Sequence, residues 1–555
     1  MKALILIIAV LFLAGCTSSD TADLVLMNGK IVTMDDNLPQ AWAVAIKGDK
    51  ILAIGSNEEI YQYTGRKTNV IDLDGKLAIP GFIEGHGHFL GIGNAVMQLN
   101  LMDVRNWSEI IAMVEEAVQN AEPGQLIRGR GWHQEKWDEV PVPNIQGLPM
   151  HHTLSSVSPE NPVILTHASG HMTYANAKAM AMAGITPDTP DPRGGEILRD
   201  EEGNPIGAFR QTAAGLLSPV MNLWAPDIDE QIDMATQEVV SKGITSFQDA
   251  GESFRNIDIF RRRANEDNLG VRLWVMIREP NDKLAEKLPD YLITGEDNNF
   301  LTVRAIKRAI DGALGTHGAW LLRPYTDLPT GSGFNTTPLD YLEETARLAI
   351  EHGYQLCTHA IGDRGNREIL DIYERTFNRH PDHADLRWRV EHAQHLHPDD
   401  IRRFGELGVI ASMQGIHCPS DGPWVTQRVG ERRAREGAYA WRSLLDTGAI
   451  IINGSDAPVE DVDPIRSYYA SVTRRFDDGT EFFPEQRMTR EEALRSYTIA
   501  AAYAAFEENI KGSITPGKLA DIVVLSKDIL TMPDDEIPET EVLYTIIGGE
   551  IVYQR

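Results

Sequence analysis

Short apolar runs alternate with amphipathic stretches through most of the chain. Runs at 163–166, 245–247, 271–276, 303–310, 355–358, 389–390, 409–412 and 450–452 have the length and composition of strands. Helical patterns at 340–351 and 489–508 intervene, and Thr489 with Glu492 three residues on forms a capping-box signature. Strand and helix in alternation over this length predict an α/β fold whose parallel sheet closes into a (β/α)8 TIM-like barrel. Residues 80–509 exceed the ~250 typical of such a barrel. The surplus is expected as a large insertion at approximately 95–235, a stretch rich in Gly, Pro and Trp after the first barrel strand.

The two ends of the chain carry a different pattern. Residues 23–32 hold an Asn28-Gly29 turn between β-rich runs, 43–52 repeat that plan, and 521–525 and 544–553 do the same. Short sheets at both ends leave faces unburied unless they pack together. Residues 23–79 and 510–555 are therefore expected to build one small composite β-sandwich domain. The pattern contains no internal repeat and no low-complexity tract.

The first residues read as an address. Lys2, an apolar stretch at 3–13 and then Leu13-Ala14-Gly15-Cys16 have the layout of an export signal, too short for a ~20-residue membrane span. The ending resembles the bacterial lipoprotein box. On that resemblance 1–15 are a signal peptide, Cys16 is the lipidated first residue and 16–22 are a tether. Thr17 after the cysteine points to the periplasmic face of a Gram-negative outer membrane. Cys357 and Cys418 are too few for a disulfide framework. A net charge of −29 with no Lys/Arg-rich block argues against a nucleic-acid partner.

Candidate chemistry begins at Gly85-His86-Gly87-His88, at the end of an apolar run. Residues i and i+2 of a strand share a face, so both imidazoles can aim at one object, and imidazole is the commonest metal ligand. His359, His392 and Asp456 each close a later apolar run, where the active sites of barrels lie.

The motifs GHGH (85–88), THAIGDRGN (358–366), RVEHAQ (389–394), GSDAPV (454–459) and SITPGKLADIVVLSKD (513–528) resemble the amidohydrolase superfamily, in its family 3 (YtcJ-like) branch. GHMTYANAKAM (170–180) and IKRAIDGALGTHGA (306–319) are similar to that branch in particular. The resemblance implies a binuclear metal hydrolase holding two divalent ions, zinc being the expected metal. His86, His88 and Asp456 would hold one ion, His359 and His392 the other, and Lys307 would bridge them as a carbamate. Its alternative is an ion pair with Asp311. A water between two such ions ionises near neutral pH and attacks the substrate carbonyl. Asp456 would then carry the water's proton to the leaving nitrogen, and Glu391 is a candidate acceptor for a ligand imidazole.

Weaker candidates are His171, Gln414 and His417 for the substrate pocket. Trp132, His133 and Trp137 would either cap the site or pack in the insertion. His395 and His397 precede Pro398, where a helix start makes them cap residues. The expected activity is hydrolysis of a non-peptide carbon–nitrogen bond, amide or N-acyl, in a small-molecule substrate. The same machinery would serve an ester or lactone. A surface-anchored, non-catalytic binding protein on a degenerate barrel is the alternative of another class, but it has no use for a bridging lysine and a proton-shuttling aspartate. The pattern does not specify a substrate, and a homo-oligomer stays open.

Overall fold

The computed structural model describes residues 21–134, 137–168, 172–192, 195–223, 226–315, 317–383 and 385–555. Eight parallel strands form its centre: β1 (Phe82–Gly87), β2 (Ile244–Glu252), β3 (Arg272–Ile277), β4 (Leu301–Ala309), β5 (Gln355–Ala360), β6 (Arg389–His392), β7 (Ile410–Gln414) and β8 (Ile451–Gly454). Each pairs with the next in chain order. Just past β8, the Asp456 N–H donates to the His86 carbonyl at 2.7 Å, which brings the last strand against the first. The result is a nearly closed parallel barrel.

The barrel strands are apolar on both faces because helices cover the outside and side chains fill the inside. All six residues of β3, Arg-Leu-Trp-Val-Met-Ile, are buried. Ala250, Trp274, Met276, Ala305 and Cys357 pack together as one cluster. Cys357 is thus a small core residue, its thiol pushed up by burial away from any nucleophilic form.

Between β1 and β2 the chain builds a separate six-stranded sheet that includes Ile127–Trp132, Val163–His167 and Pro205–Gln211. Trp132 is wholly buried there, donates its ring N–H to the Leu165 carbonyl at 3.0 Å and stacks on Trp137. Both tryptophans therefore pack in the core of this sheet.

Strands from the two ends of the chain share one apolar core, with Leu26, Ile46, Ile522 and Val524 among its members. Leu77–Pro80 lies between Lys30–Val32 and Ile522–Leu525 in a six-stranded sheet, and Leu24–Met27 belongs to a four-stranded one. The Asn28-Gly29 turn does not make a hairpin. Both edges of Leu24–Met27 are taken, by Ala43–Lys47 and Asn69–Asp72, so the turn, with Asn28 at φ +55°, carries the chain to the other sheet. Arg272 at the start of β3 donates two hydrogen bonds to Asp521, at 2.8 and 3.0 Å, and so ties the barrel to these sheets.

Two helical expectations change. The run 489–508 breaks at Tyr497-Thr498 into Arg490–Ser496 and Ile499–Ala504, with the Thr489–Glu492 capping box in place. His397 caps the helix Pro398–Leu407, its Nδ1 accepting from the Asp399 N–H at 3.2 Å. His395 is no cap. It is buried, packs edge-on to Tyr439, and burial pushes its imidazole from 6.5 down to about 3, with Arg433 adding to the effect.

Between those values the unfolded chain binds a proton that the folded chain refuses. His395 thus contributes stability that is full above pH 6.5 and drains away as pH falls toward 3. His395→Leu should flatten urea-unfolding stability across that window. An unchanged pH slope would refute the assignment.

Candidate active site

Side chains from the C-terminal ends of the barrel strands converge on one centre. His86 comes from β1, Lys307 from β4, His359 from β5 and His392 from β6, while His88 follows β1 and Asp456 follows β8. The nearest nitrogens of His88 and His86 lie 3.2 and 3.5 Å from Asp456 Oδ1. Ligand atoms of these three residues sit within 4.8 Å of one another. Lys307 Nζ is 3.2 Å from His86 Nε2. The His392 ring centroid lies 4.8 Å from that of His86 and 4.4 Å from that of His359. All six expected ligand residues therefore gather at one place. His392 and Asp456 adopt φ values of +73° and +58°, a conformation costing of order 1 kcal/mol or more outside glycine and found at functional sites.

The hydrogen bonds around the centre decide which nitrogens face it. Glu391 is wholly buried, which alone would raise its pKa, but Arg389 and His86 hold the carboxyl well below the usual range. Arg389 Nε donates to Glu391 Oε1 at 2.8 Å, and the same guanidinium reaches Gln248, the Gly85 carbonyl and Ser412. A carboxylate only accepts, so His86 Nδ1–H donates to Glu391 and the Nε2 lone pair turns toward Lys307 and Asp456. His392 Nδ1–H likewise donates to Gln414 Oε1 at 2.7 Å, leaving its Nε2 unprotonated.

Burial keeps the other imidazoles neutral, lowering His88, taking His359 down to about 3 and holding His392 well below the normal range. It also pushes the Lys307 amine down, against the fields of Glu391 and Asp456. Burial would raise Asp456, but His86 and His88 outweigh it and keep the carboxyl well below the usual carboxylate range.

Two buried atoms, His359 Nε2 and Asp456 Oδ1, make no well-formed hydrogen bond among the described residues, their nearest oppositely polarised neighbours being Asp311 Oδ1 at 3.6 Å and His88 Nε2 at 3.2 Å. Leaving buried polar atoms unpaired is costly, by about 1–3 kcal/mol each. Imidazole nitrogens and a carboxylate oxygen that converge in this way without well-formed hydrogen bonds fit a divalent metal.

The other candidates fall in different places. Lys307 does not pair with Asp311, whose carboxylate instead accepts the backbone N–H groups of Trp320, Ile361 and Gly362 at 2.8–3.0 Å while burial pushes it up to about 7. Gln414 is engaged with His392. The His417 ring lies parallel to that of His392 at 6.2 Å, its Nε2 without a hydrogen-bond partner among the described residues. The His133 ring sits 4.5 Å from that of His167 in the inserted sheet. His171 and Cys16 lie outside the described residues.

Three residues of the site escaped sequence reasoning. Arg389 is signalled only by its i, i+2 relation to Glu391 on one face of β6. Glu84, two residues before His86, accepts the Ser455 N–H at 2.6 Å and is raised by burial to about 8. Arg130, from the inserted sheet, donates to the Pro458 carbonyl at 2.9 Å. Nothing local to its sequence marks it.

An eight-stranded barrel with imidazoles, a carboxylate and a lysine clustered at its C-terminal strand ends defines a barrel enzyme with a metal-type centre. Residues 69–553 match the model of the amidohydrolase family, and the chain belongs to that family of hydrolases, enzymes acting on carbon–nitrogen bonds. It is 33% identical over 548 residues to Protein LONG AFTER FAR-RED 3 of Arabidopsis thaliana, covering 96% of this chain and 92% of that one. It is 28% identical over 557 residues to an N-substituted formamide deformylase of Arthrobacter pascens, covering 96% and 98%. The crystal structure of an uncharacterized metal-dependent hydrolase from Pyrococcus furiosus superposes with a TM-score of 0.73 at 26% identity, covering 92% of this chain and all of that one.

Proposed function

We propose that this enzyme hydrolyses non-peptide amide or N-acyl bonds of small molecules with two divalent ions, zinc being the expected metal, and with Asp456 as proton shuttle. The observation that carries the reading is that His359 Nε2 and Asp456 Oδ1 are buried without a hydrogen bond among the described residues, in a site where burial lowers His88, His359 and His392. His86, His88 and Asp456 would hold one ion and His359 and His392 the other, with Lys307 as a bridging carbamate. Such ions, when bound, supply a hydroxide near neutral pH and polarise the substrate carbonyl.

The chain's own residues do the rest. Glu391 and Gln414 fix the tautomers and orientations of His86 and His392. Burial leaves the Lys307 amine a larger uncharged fraction, the form that reacts with CO2. Asp456, ionised at any pH of interest, takes the attacking water's proton on a carboxylate oxygen and returns it to the nitrogen as the C–N bond breaks, so that a neutral amine leaves. An alkoxide leaves more readily than an amide anion, so a shuttle at this position favours the amide reading over an ester or lactone.

The formamide deformylase among the relatives supports a small N-acyl substrate. We also propose that 23–79 with 510–555 form a β-sandwich domain, that 80–509 are the hydrolase barrel with its insertion at about 95–235, and that Cys16 anchors the protein by lipid at the periplasmic face of the outer membrane.

Dialysis against a chelator should abolish turnover of formamides and N-acyl amino acids. Zinc should restore it at two ions per chain, and only when bicarbonate is present to re-form the carbamate. Fewer than one ion per chain under metal-replete conditions, or turnover indifferent to chelation, would overturn the reading.

A further inference from the structure

Several buried and half-buried arginines in this protein are paired with carboxylates, among them Arg272 with Asp521, Arg387 with Asp385 and Glu508, Arg389 with Glu391, and Arg403 with Asp371, Glu374 and Asp400, whereas buried Arg308 and Arg474 bond to neutral oxygens. In a chain of 81 acidic and 52 basic residues, acidic partners are plentiful. Half-buried Arg130 and exposed Arg278 likewise make no ion pair among the described residues, although Arg278 lies in the field of Glu252. Both border the centre.

Arg130 projects from the inserted strand Ile127–Trp132, and its Nη1 donates to the carbonyl of Pro458, two residues beyond Asp456. The neighbouring Ala457 carbonyl accepts the N–H of His88 at 2.7 Å, so the guanidinium stands on the same loop that His88 leans on. The residue is half-buried; its guanidinium is pushed down by desolvation and pulled back by the field of Asp456. Arg278 immediately follows β3. A side chain built on Gly251 would touch both Arg278 Cβ at 3.0 Å and Lys307 Cβ at 3.3 Å, which places the two side chains together beside the end of β2.

A guanidinium has five N–H donors, and the Pro458 carbonyl engages one of those on Arg130. A desolvated cation without a counter-charge, held at the rim of a site, is matched by an anion arriving with the substrate. The planar fork suits a carboxylate, which it can bind through two hydrogen bonds.

Resting on the C–N hydrolase reading above, we propose that Arg130 is a specificity-determining residue that binds a carboxylate carried by the substrate beside its scissile N-acyl bond, with exposed Arg278, beside Lys307, adding a second positive charge. The preferred substrates are then N-acyl amino acids with a free carboxylate. The insertion, which contributes none of the six expected metal ligands, supplies this part of substrate selection.

The test compares N-formyl amino acids with their carboxamides on the metal-loaded enzyme and on R130M, R130K and R278M. Charge-assisted hydrogen bonds predict that R130M loses about 10- to 100-fold in kcat/KM on the carboxylates, mostly through KM, and clearly less on the carboxamides. R130K should recover part of the loss, and R278M should show a smaller defect of the same sign. Equal losses on both substrate series would make Arg130 a structural pin for the loop at Pro458 and overturn the proposal, as would a wild type with no preference for the carboxylate. Calorimetric binding of the uncleaved carboxylates reports on Arg130 even if no C–N bond is cleaved. A wild type that binds them but cleaves neither series would sink the hydrolase reading instead, and binding untouched by R130M would sink this one.

Discussion

Asp456→Asn should reduce kcat by about 10²- to 10⁴-fold, the range supplied by a positioned proton-transfer group, while the protein stays folded. Asparagine keeps the shape and one carbonyl-type oxygen but has no carboxylate to accept the water's proton. Asn also tolerates the φ of +58° at this position, and the backbone N–H that joins β8 to His86 is untouched. Assays at saturating metal separate loss of the shuttle from weakened ion binding. An unchanged unfolding midpoint with near-complete loss of turnover is the expected pair of results. Wild-type turnover would remove Asp456 from the role.

The second large effect belongs to a residue that touches no substrate. Arg389 is fully buried and reaches both oxygens of Glu391 as well as Gln248, Ser412 and the Gly85 carbonyl. Arg389→Met would leave Glu391 charged and uncompensated in the barrel interior, a change that costs about 3–5 kcal/mol. Alternatively Glu391 takes up a proton and becomes a donor. His86 then loses its acceptor, and the tautomer that points a lone pair at the centre is no longer enforced. Both routes weaken metal binding. Denaturant unfolding should show the stability loss, and metal titration the affinity loss. The double variant Arg389→Met with Glu391→Gln removes the stranded charge, so it should regain stability without regaining activity. If the single variant unfolds like the wild type, the pair is not holding this site together.

The barrel and its six convergent residues were legible because each clue is local. A polar residue ending an apolar run, and two histidines spaced to share a strand face, can be read without knowing the neighbours. What escaped depends on partners far away in the chain. Gln414 looked like pocket lining, but its role follows from β7 lying beside β6, where its amide meets His392. His395 looked like a helix cap because Pro398 is near. Only the packing of Tyr439, from a later part of the chain, shows that it is enclosed. The Asn28-Gly29 turn has hairpin chemistry, yet the competition of three strands for the two edges of Leu24–Met27 decides otherwise. Arg130 is the extreme case, since its meaning comes from an inserted sheet leaning on a loop more than three hundred positions later.

Leu77–Pro80 runs through Gly81 directly into β1, and its neighbours are Lys30–Val32 on one side and Ile522–Leu525 on the other. The Gly81 N–H itself donates to the Asp521 carbonyl at 2.9 Å. The segment that leads into His86 and His88 therefore completes its pairing only with residues from the far end of the chain. A break in the chain near Asp521 would thus unclasp the strand that holds His86 and His88, although more than four hundred positions separate the two.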